Sequence, residues 1–310
     1  MRRISNLSVL CLAAGVMAAC SLPDEIITTE NIPTAGVRFI NAVPDTNLVD
    51  MRFYDFVESN AHFRIGFRAN PVAAGGVTAS TQVQYKNARA ASRKFRVFLN
   101  DTLQSVASKV LYDITFTFQA GKNYTVWMMG NARRNGVVGA TDTMRLNVVE
   151  DAPADPGALV ALRLVNATNA VINGRQYTGA AVVAQGATVP TSTTGWPSLA
   201  PYTIGSYITV PVTVSPNSVR YNIRNPTDVD GTGNLFADGS ALIGAVAGRS
   251  LGATVDDLEP LPGTAAAGSA VTGVVYPASV VGSRAVQFTT PGLSFIWDRR
   301  PPRTGCLPYC

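Results

Sequence analysis

The sequence predicts an all-β protein: two antiparallel β-sandwich domains behind an N-terminal export signal and a tether. Three observations carry this. Short runs rich in β-branched and aromatic residues recur through the first half, separated by turn-forming pairs. One such run, VRFINAV (Val37–Val43), returns as LRLVNAT (Leu162–Thr168), with arginine, asparagine and alanine in register. Just before that return, DAPADPG (Asp151–Gly157) breaks any strand ladder with two prolines and a glycine.

The N-terminus reads MRRISNLSVLCLAAGVMAAC. Arg2 and Arg3 precede an apolar run from Leu7 to Ala19, broken only by Ser8 and Gly15. The run is shorter than the roughly 20 residues of a membrane span. Small residues Ala18 and Ala19 then meet Cys20, the order of a secretory signal. This order resembles the lipobox of bacterial lipoproteins. The resemblance implies that residues 1–19 are removed and that Cys20 becomes the lipidated first residue, with a diacylglyceryl group and an N-acyl chain such as palmitate. A single acyl chain binds membranes only reversibly, whereas several together hold a protein durably. In that family an aspartate after the cysteine favours the inner membrane. Ser21 stands there instead, which points to the outer membrane. Residues 20–35 read as lipidated cysteine and tether, with Asp24, Glu25, Glu30 and no helical periodicity.

The strands follow in order. Val37–Val43, Val49–Phe56, Thr81–Tyr85, Lys94–Leu99, Tyr112–Phe118 and Tyr124–Gly130 form a first domain over 36–150. In YDITFTF, Ile114, Phe116 and Phe118 share one face and Thr115 and Thr117 the other, the pattern of a half-buried antiparallel strand. Regularly spaced short strands argue for a sandwich. A second, diverged and separately packed copy is expected over 158–297. AGKNYT (Ala120–Thr125) opens the last strong strand of the first copy, and AGSAVT (Ala267–Thr272) opens its equivalent in the second. Thr188–Gly205 and Asn225–Gly239 read as loops. Residues 298–310 read as an irregular tail, in which Cys306 and Cys310 can close a small disulfide outside the cytoplasm.

Two motifs resemble a known family. NAVPDTNLVDM (Asn41–Met51) resembles the opening of the exported domain of unknown function 4397, and FQAGKNYTVWMMG (Phe118–Gly130) resembles its closing motif. The resemblance covers about residues 36–149 and extends more weakly over 158–297. It implies immunoglobulin-like β-sandwiches on secreted or lipid-anchored bacterial proteins, and no known reaction.

Little in the chain points to catalysis. His62 is the single histidine, and no nucleophile or phosphate-binding motif accompanies it. Asp45, Asp50 and Asp55 could supply a glycosidase-type carboxylate pair, but Asp45 is better read as capping the Pro44 turn. In DVDGTGNLFADG, Asp228, Asp230, Thr232 and Asn234 alternate as oxygen donors, as in calcium loops, without the closing glutamate. No other cofactor is implied.

Charge is unevenly placed. Charged residues are only 15% of the chain, against about 25% for an ordinary soluble domain. From Gly36 to Val149 there are 14 Lys/Arg against 7 Asp/Glu; from Asp151 to Cys310 the tally is 9 against 9. Strand alternation places Phe95, Val97 and Leu99 inward and Lys94, Arg96 and Phe98 outward, a basic stripe that Arg133 and Arg134 could extend. Trp127 reads as core. Trp196, in TTGWPSL, reads as an exposed aromatic of the kind sugar-binding surfaces use.

The expected function is that of a non-enzymatic cell-envelope lipoprotein acting as a binding or scaffolding module. A first alternative is a binder of anionic envelope polysaccharide or lipopolysaccharide through the basic domain. A second is a carboxylate-based hydrolase. The expected partners are the membrane, through the lipid, and an anionic polymer or another envelope protein. Nucleic acid is not expected.

Overall fold

Where apolar and polar residues alternate, the expected strands form. Ile114 and Phe116 turn towards a core, and Thr115 and Thr117 are exposed. The computed structural model describes residues 32–53, 64–66, 68, 85–132, 142–180, 195–213, 217–224, 262–283 and 285–301. The first half contains β1 (Thr34–Ala42), β2 (Leu48–Phe53), β3 (Arg64–Gly66), β4 (Lys86–Arg89) and β5 (Ser92–Leu99). A single helical turn, α1 (Gln104–Ala107), leads to β6 (Val110–Thr117), β7 (Asn123–Met129) and β8 (Arg145–Glu150). Sheet β4-β1-β7-β8 and sheet β3-β2-β5-β6 enclose a core that includes Phe39, Phe95, Phe118 and Tyr124. Several of its rings meet edge to face, as at Phe118–Tyr124, 5.2 Å apart and inclined by 74°, the arrangement their quadrupoles favour.

The second half contains β9 (Leu159–Asn166), β10 (Ile172–Gly179), β11 (Gly195–Leu199), β12 (Thr203–Ile204), β13 (Ile208–Pro211), β14 (Ser218–Arg224), β15 (Ala270–Tyr276) and β16 (Gly292–Arg299). Sheet β12-β9-β15-β16, with β13 also on β9, shares its core with sheet β11-β10-β14. Two strands, β11 and β12, occupy the stretch expected as a loop at Thr188–Gly205. β16 runs two residues beyond the expected end at Trp297, taking Asp298 and Arg299 out of the tail. Residues 225–239, the second expected loop, lie outside the described residues.

Both halves repeat one device that antiparallel sandwiches lack. β1 pairs parallel with β7, and β9 pairs parallel with β15. A parallel pair needs a long crossover, and the opposite sheet supplies it in each half. Strands of this kind are buried on both faces and read as apolar on both. The inner faces fill the two sandwich cores. The outer faces meet each other. Gly121 and Gly268, the glycines of the two Ala-Gly turns, adopt φ of +74° and +81° before β7 and β15, a conformation that glycine tolerates without steric cost.

All described strands belong to one unit, Thr34–Cys310. The described strands pair only within their own half, but the halves are not separately packed. A third core joins Ile40, Ala42, Trp127 and Met129 from the first half to Val165, Val274, Tyr276 and Ile296 from the second, among others. Trp127 is fully buried there, so its core assignment holds, though in a core shared by both halves.

Earlier along the same strands the shared surface is ionic. Arg38 and Arg163 occupy equivalent positions, opposite Thr125 and Thr272 in the parallel ladders. Arg38 Nε donates to Thr125 Oγ1 at 2.7 Å, and Arg163 Nε donates to Thr272 Oγ1 at 2.8 Å. Each guanidinium then crosses to the other half. Arg38 pairs with Asp298, and Arg163 Nη2 lies 2.9 Å from Asp151 Oδ1. Each also reaches the aspartate of its own half at 3.4 Å. Tyr85 donates to Asp151 and Tyr207 to Asp298, each at 2.8 Å, and each ring lies under the neighbouring guanidinium at 4.4 and 4.6 Å. Thr125 and Thr272 donate the remaining bonds to Asp151 and Asp298. The result is a closed, pseudo-two-fold set of two cations and two anions, all essentially without solvent exposure.

Burial pushes both phenols up, so Tyr85 and Tyr207 remain neutral donors. Burial alone would also push the Asp298 carboxyl up. The charges of Arg163 and Arg38, with the Thr272 hydroxyl, outweigh it and hold the group below its ordinary value of 3.8.

Two outcomes are expected. Trp127→Ala removes an aromatic from the shared core and should destabilise the chain by about 3–5 kcal/mol in urea unfolding. A loss below about 1 kcal/mol would mean the shared core contributes far less than a well-packed one. Arg38→Ala leaves Asp298 short of a buried partner and should cost about 3–5 kcal/mol. A carboxyl with a lowered value stabilises the fold above its ordinary value and loses that contribution as pH falls through the lowered one. Unfolding free energy should therefore drop as pH falls below 3.8, and Asp298→Asn should flatten that part of the profile. An unchanged acid limb in Asp298→Asn would refute the assignment.

Candidate functional site

Close to the ionic set, the two halves leave a recess of about 410 Å³ lined by Tyr85, Asn123, Trp297, Asp298, Arg299 and Arg300. β1 and β7 bring Asn123 beside Gly36, where β1 begins, and β16 delivers the other wall. Tyr85 is fixed by Asp151, and the Trp297 carbonyl accepts from Arg38 Nη1 at 2.7 Å, so the junction holds both aromatic residues in place. Trp297 is half-buried, Arg300 and Asn123 are exposed, and the Arg300 guanidinium stacks 4.9 Å from the Trp297 ring centre. Arg299 pairs with Asp155 at 2.6 Å across a solvent-exposed gap. The carboxylate of Asp298 is committed to the junction, so the chemistry turned to solvent is cationic, amide and aromatic.

A second recess, of about 310 Å³, opens where the shared strands end, with Pro44, Asn131, Thr168, Tyr202, Pro277 and Val280 among its lining. Tyr202 carries a φ of +56°. Its hydroxyl donates to Asp142 at 3.2 Å, and Arg145 lies 4.3 Å over its ring. Nearby, Arg68 donates to the carbonyls of Pro277 and Thr290. Burial pulls its guanidinium down to about 10. These bonds tie the first half to the second.

The expected basic stripe is present in part. Lys94 is exposed and Arg96 half-buried, while Phe95 and Val97 are fully buried. Both cations converge on Asp113 of β6, at 3.5 and 2.7 Å. The Arg96 hydrogen bond, with the charges of Arg96 and Lys94, holds Asp113 below the usual carboxylate range. Arg52, 60% exposed in its side chain, pairs with Asp50 at 3.3 Å on the same face. The face is thus cationic by one charge among these five residues.

Two assignments change. Phe98 is buried without turning inward: it stays opposite Asp50 in the β2–β5 ladder, on the face of Arg52 and Arg96, and Arg52 covers its ring at 5.2 Å. Trp196 is 5% exposed, not a surface aromatic. It lies in β11, stacks on Tyr221 with centroids 5.5 Å apart, and donates from Nε1 to Ser206 at 2.7 Å. Gly205 makes room, since a Cβ there would stand 2.8 Å from the indole. Asp45 accepts from the backbone of Ala132 at 2.9 Å, which ties its turn to the segment after β7. Asp50 is occupied by Arg52 and Asn100.

Cys20, Asp55, His62, Arg133, Arg134, Cys306 and Cys310 lie outside the described residues. So do Asp228, Asp230, Thr232 and Asn234, the expected calcium donors. The residues that sequence reasoning passed over are Asp151, placed in a linker, and Asp298, Arg299 and Arg300, placed in a tail. The signal that could have found them was the recurrence of Arg38 and Arg163 inside apolar strands, because a buried arginine requires an anion.

Comparison with curated proteins finds no match. Residues 35–174 match the family model described as Domain of unknown function (DUF4397). The match runs across the linker into β10, so Arg38, Thr125, Asp151 and Arg163 lie within it and Thr272 and Asp298 beyond it. Residues 35–174 therefore carry a domain of unknown function 4397.

Proposed function

We propose that the chain is a cell-envelope lipoprotein, held to the outer membrane through lipid on Cys20, whose two joined sandwiches act as a binding or scaffolding module and not as an enzyme. The ionic junction is the observation that carries this reading. The carboxylates and guanidiniums withdrawn from water there are spent on holding one half to the other. A catalytic carboxylate needs an open partner and a perturbed value suited to proton transfer. Asp298 is instead kept ionised among its partners. Two sandwiches locked in this way present fixed surfaces, which favours recognition because little order is lost on binding.

A second reading, capture of an anionic envelope polymer on the outer face of sheet β3-β2-β5-β6, is favoured by the exposure of Arg52 and Lys94. Exposed pairs of this kind contribute only about 0–1 kcal/mol each, so such binding would be weak and salt-sensitive.

Both readings have direct tests. In the native envelope, the parent should carry acyl chains on Cys20 and fractionate with the outer membrane. Cys20→Ala should remain an unprocessed precursor. Normal processing and retention of that variant would overturn the anchor. Lys94→Glu with Arg96→Glu should weaken retention of the full chain on immobilised lipopolysaccharide severalfold, and added salt should do the same to the parent. Retention that ignores both would remove the second reading.

A further inference from the structure

The edge strands of a sheet expose unpaired backbone groups, and most described edges of this protein are blunted against pairing. β12, β3 and β4 are only two, three and four residues long. β11 and β13 carry Pro197 and Pro211. β8, β14 and β16 carry arginines, Arg145, Arg220 and Arg299 among them. β6, eight residues long and reading VLYDITFT, has no proline, glycine or basic residue. β5 covers one of its edges, and among the described residues no strand pairs with the other. Its single charge, Asp113, is already met by Lys94 and Arg96. The ladder fixes which backbone groups face the open edge. Phe118 N donates to the Ala91 carbonyl at 2.9 Å, and the β5–β6 register continues from there, from Ser92–Thr117 to Val97–Tyr112. Bonded pairs alternate in an antiparallel ladder. Tyr112, Ile114 and Phe116 therefore bond to β5, and Asp113, Thr115 and Thr117 turn their N–H and C=O groups outward. The side chains of Tyr112, Ile114 and Phe116 are only partly buried, so the core is thinly covered along this edge.

We propose that β6 is the docking edge for a second copy of this chain, joined β6 to β6, antiparallel, about a two-fold axis. The strand's own pattern selects this partner. Facing residues of a ladder share a sheet face, so inward positions must meet inward positions. The axis therefore passes through a residue and not between two. Centred on Asp113 it would set two carboxylates face to face, which is unfavourable. Centred on Ile114 it sets Ile114 against its copy, Tyr112 against Phe116 and Asp113 against Thr115. Centred on Thr115 it sets Thr115 against its copy, Ile114 against Phe116 and Asp113 against Thr117. Both registers engage the outward N–H and C=O groups of Asp113 and Thr115. Both also let the partly exposed apolar residues cover one another, in the cross-strand pairs that stabilise sheets. A two-fold contact uses the same edge of each copy, so assembly closes at two chains. Two four-stranded sheets then become one sheet of eight, with Arg52 and Lys94 of both copies on one outer face. The pairing does not depend on what that face binds.

The test uses the full-length protein, in detergent and in its native envelope. Sedimentation in detergent should show a dimer that dissociates on dilution. Thr115 is exposed in the single chain, and Thr115→Asp sets like charges opposite each other in both registers. That variant should dimerise at least tenfold more weakly, while the buried Trp127 and Trp196 keep their emission and so report an intact fold. A second measurement needs no loss of binding. Facing Cα atoms in an antiparallel pair lie about 4.5–5.5 Å apart, within the span of a disulfide. Ile114→Cys or Thr115→Cys, whichever lies on the axis, should therefore cross-link two chains on oxidation in the envelope. The parent, and Thr178→Cys on an exposed position of β10, should not. A parent that stays monomeric at every concentration, a dimer indifferent to Thr115→Asp, or cross-linking at neither Ile114 nor Thr115 would overturn the proposal. Protection of the Thr115 amide from hydrogen exchange in the envelope, without either cross-link, would give the edge to a strand of another protein and overturn the second-copy assignment.

Discussion

Two arginines that reach across a boundary to the other half's aspartate govern how this chain is built. Arg38 pairs with Asp298 and Arg163 with Asp151 in a setting that excludes water. Ionised groups withdrawn from water cost several kcal/mol each, and only a complete set of partners offsets that cost. Here each carboxylate receives both guanidiniums, a threonine hydroxyl and a tyrosine hydroxyl. The two halves must therefore sit in one relation. A small shift would leave a buried charge without its partner, a far larger penalty than any displaced methyl group. The same surface used twice about a pseudo-two-fold axis is the logic of an isologous dimer, placed within one chain.

The apolar part of the boundary depends on that constraint and supplies what it lacks. Ion pairs set register but are weak evidence of net stability. The driving force comes from Trp127, Ile40, Met129, Val274 and Ile296, which leave water together. Parallel pairing of β1 with β7, and of β9 with β15, makes this possible, since it yields central strands with two buried faces: one for the sandwich, one for the boundary. Asn41 and Asn166 close the first strand of each half by accepting from the backbone two residues on, each at 3.0 Å. Ala42 and Ala167 are buried at the same boundary. The recurrence of arginine, asparagine and alanine thus has one cause, a boundary made twice.

Function is best sought where the two copies differ. Trp297, Arg299 and Arg300 have no duplicate and border a recess whose floor the junction immobilises. The binding-module reading fits such a recess, because a rigid two-part body can present it without ordering loops.

The strands and their repeat were legible in the chain. Alternation in YDITFTF, the paired Ala-Gly turns and the VRFINAV and LRLVNAT runs are local signals, written in side-chain type and spacing, and the strands sit where those signals place them. The match to domain of unknown function 4397 was likewise legible in two motifs. Local signals could not tell which face of a doubly apolar strand meets which neighbour. Trp196 looked exposed because turn residues surround it, yet Gly205 and Tyr221 bury it from distant positions. Alternation places Phe98 on the outer face, and there Arg52 of the neighbouring strand covers its ring. Asp151 and Asp298 looked like linker and tail because nothing beside them in the chain is basic and buried. Asp298 meets Arg38, 260 residues away, and Asp151 meets Arg163, which is 12 residues on but belongs to the other half. Only the packing of one half on the other brings them together, because charge pairing depends on distance in space and not on distance along the chain.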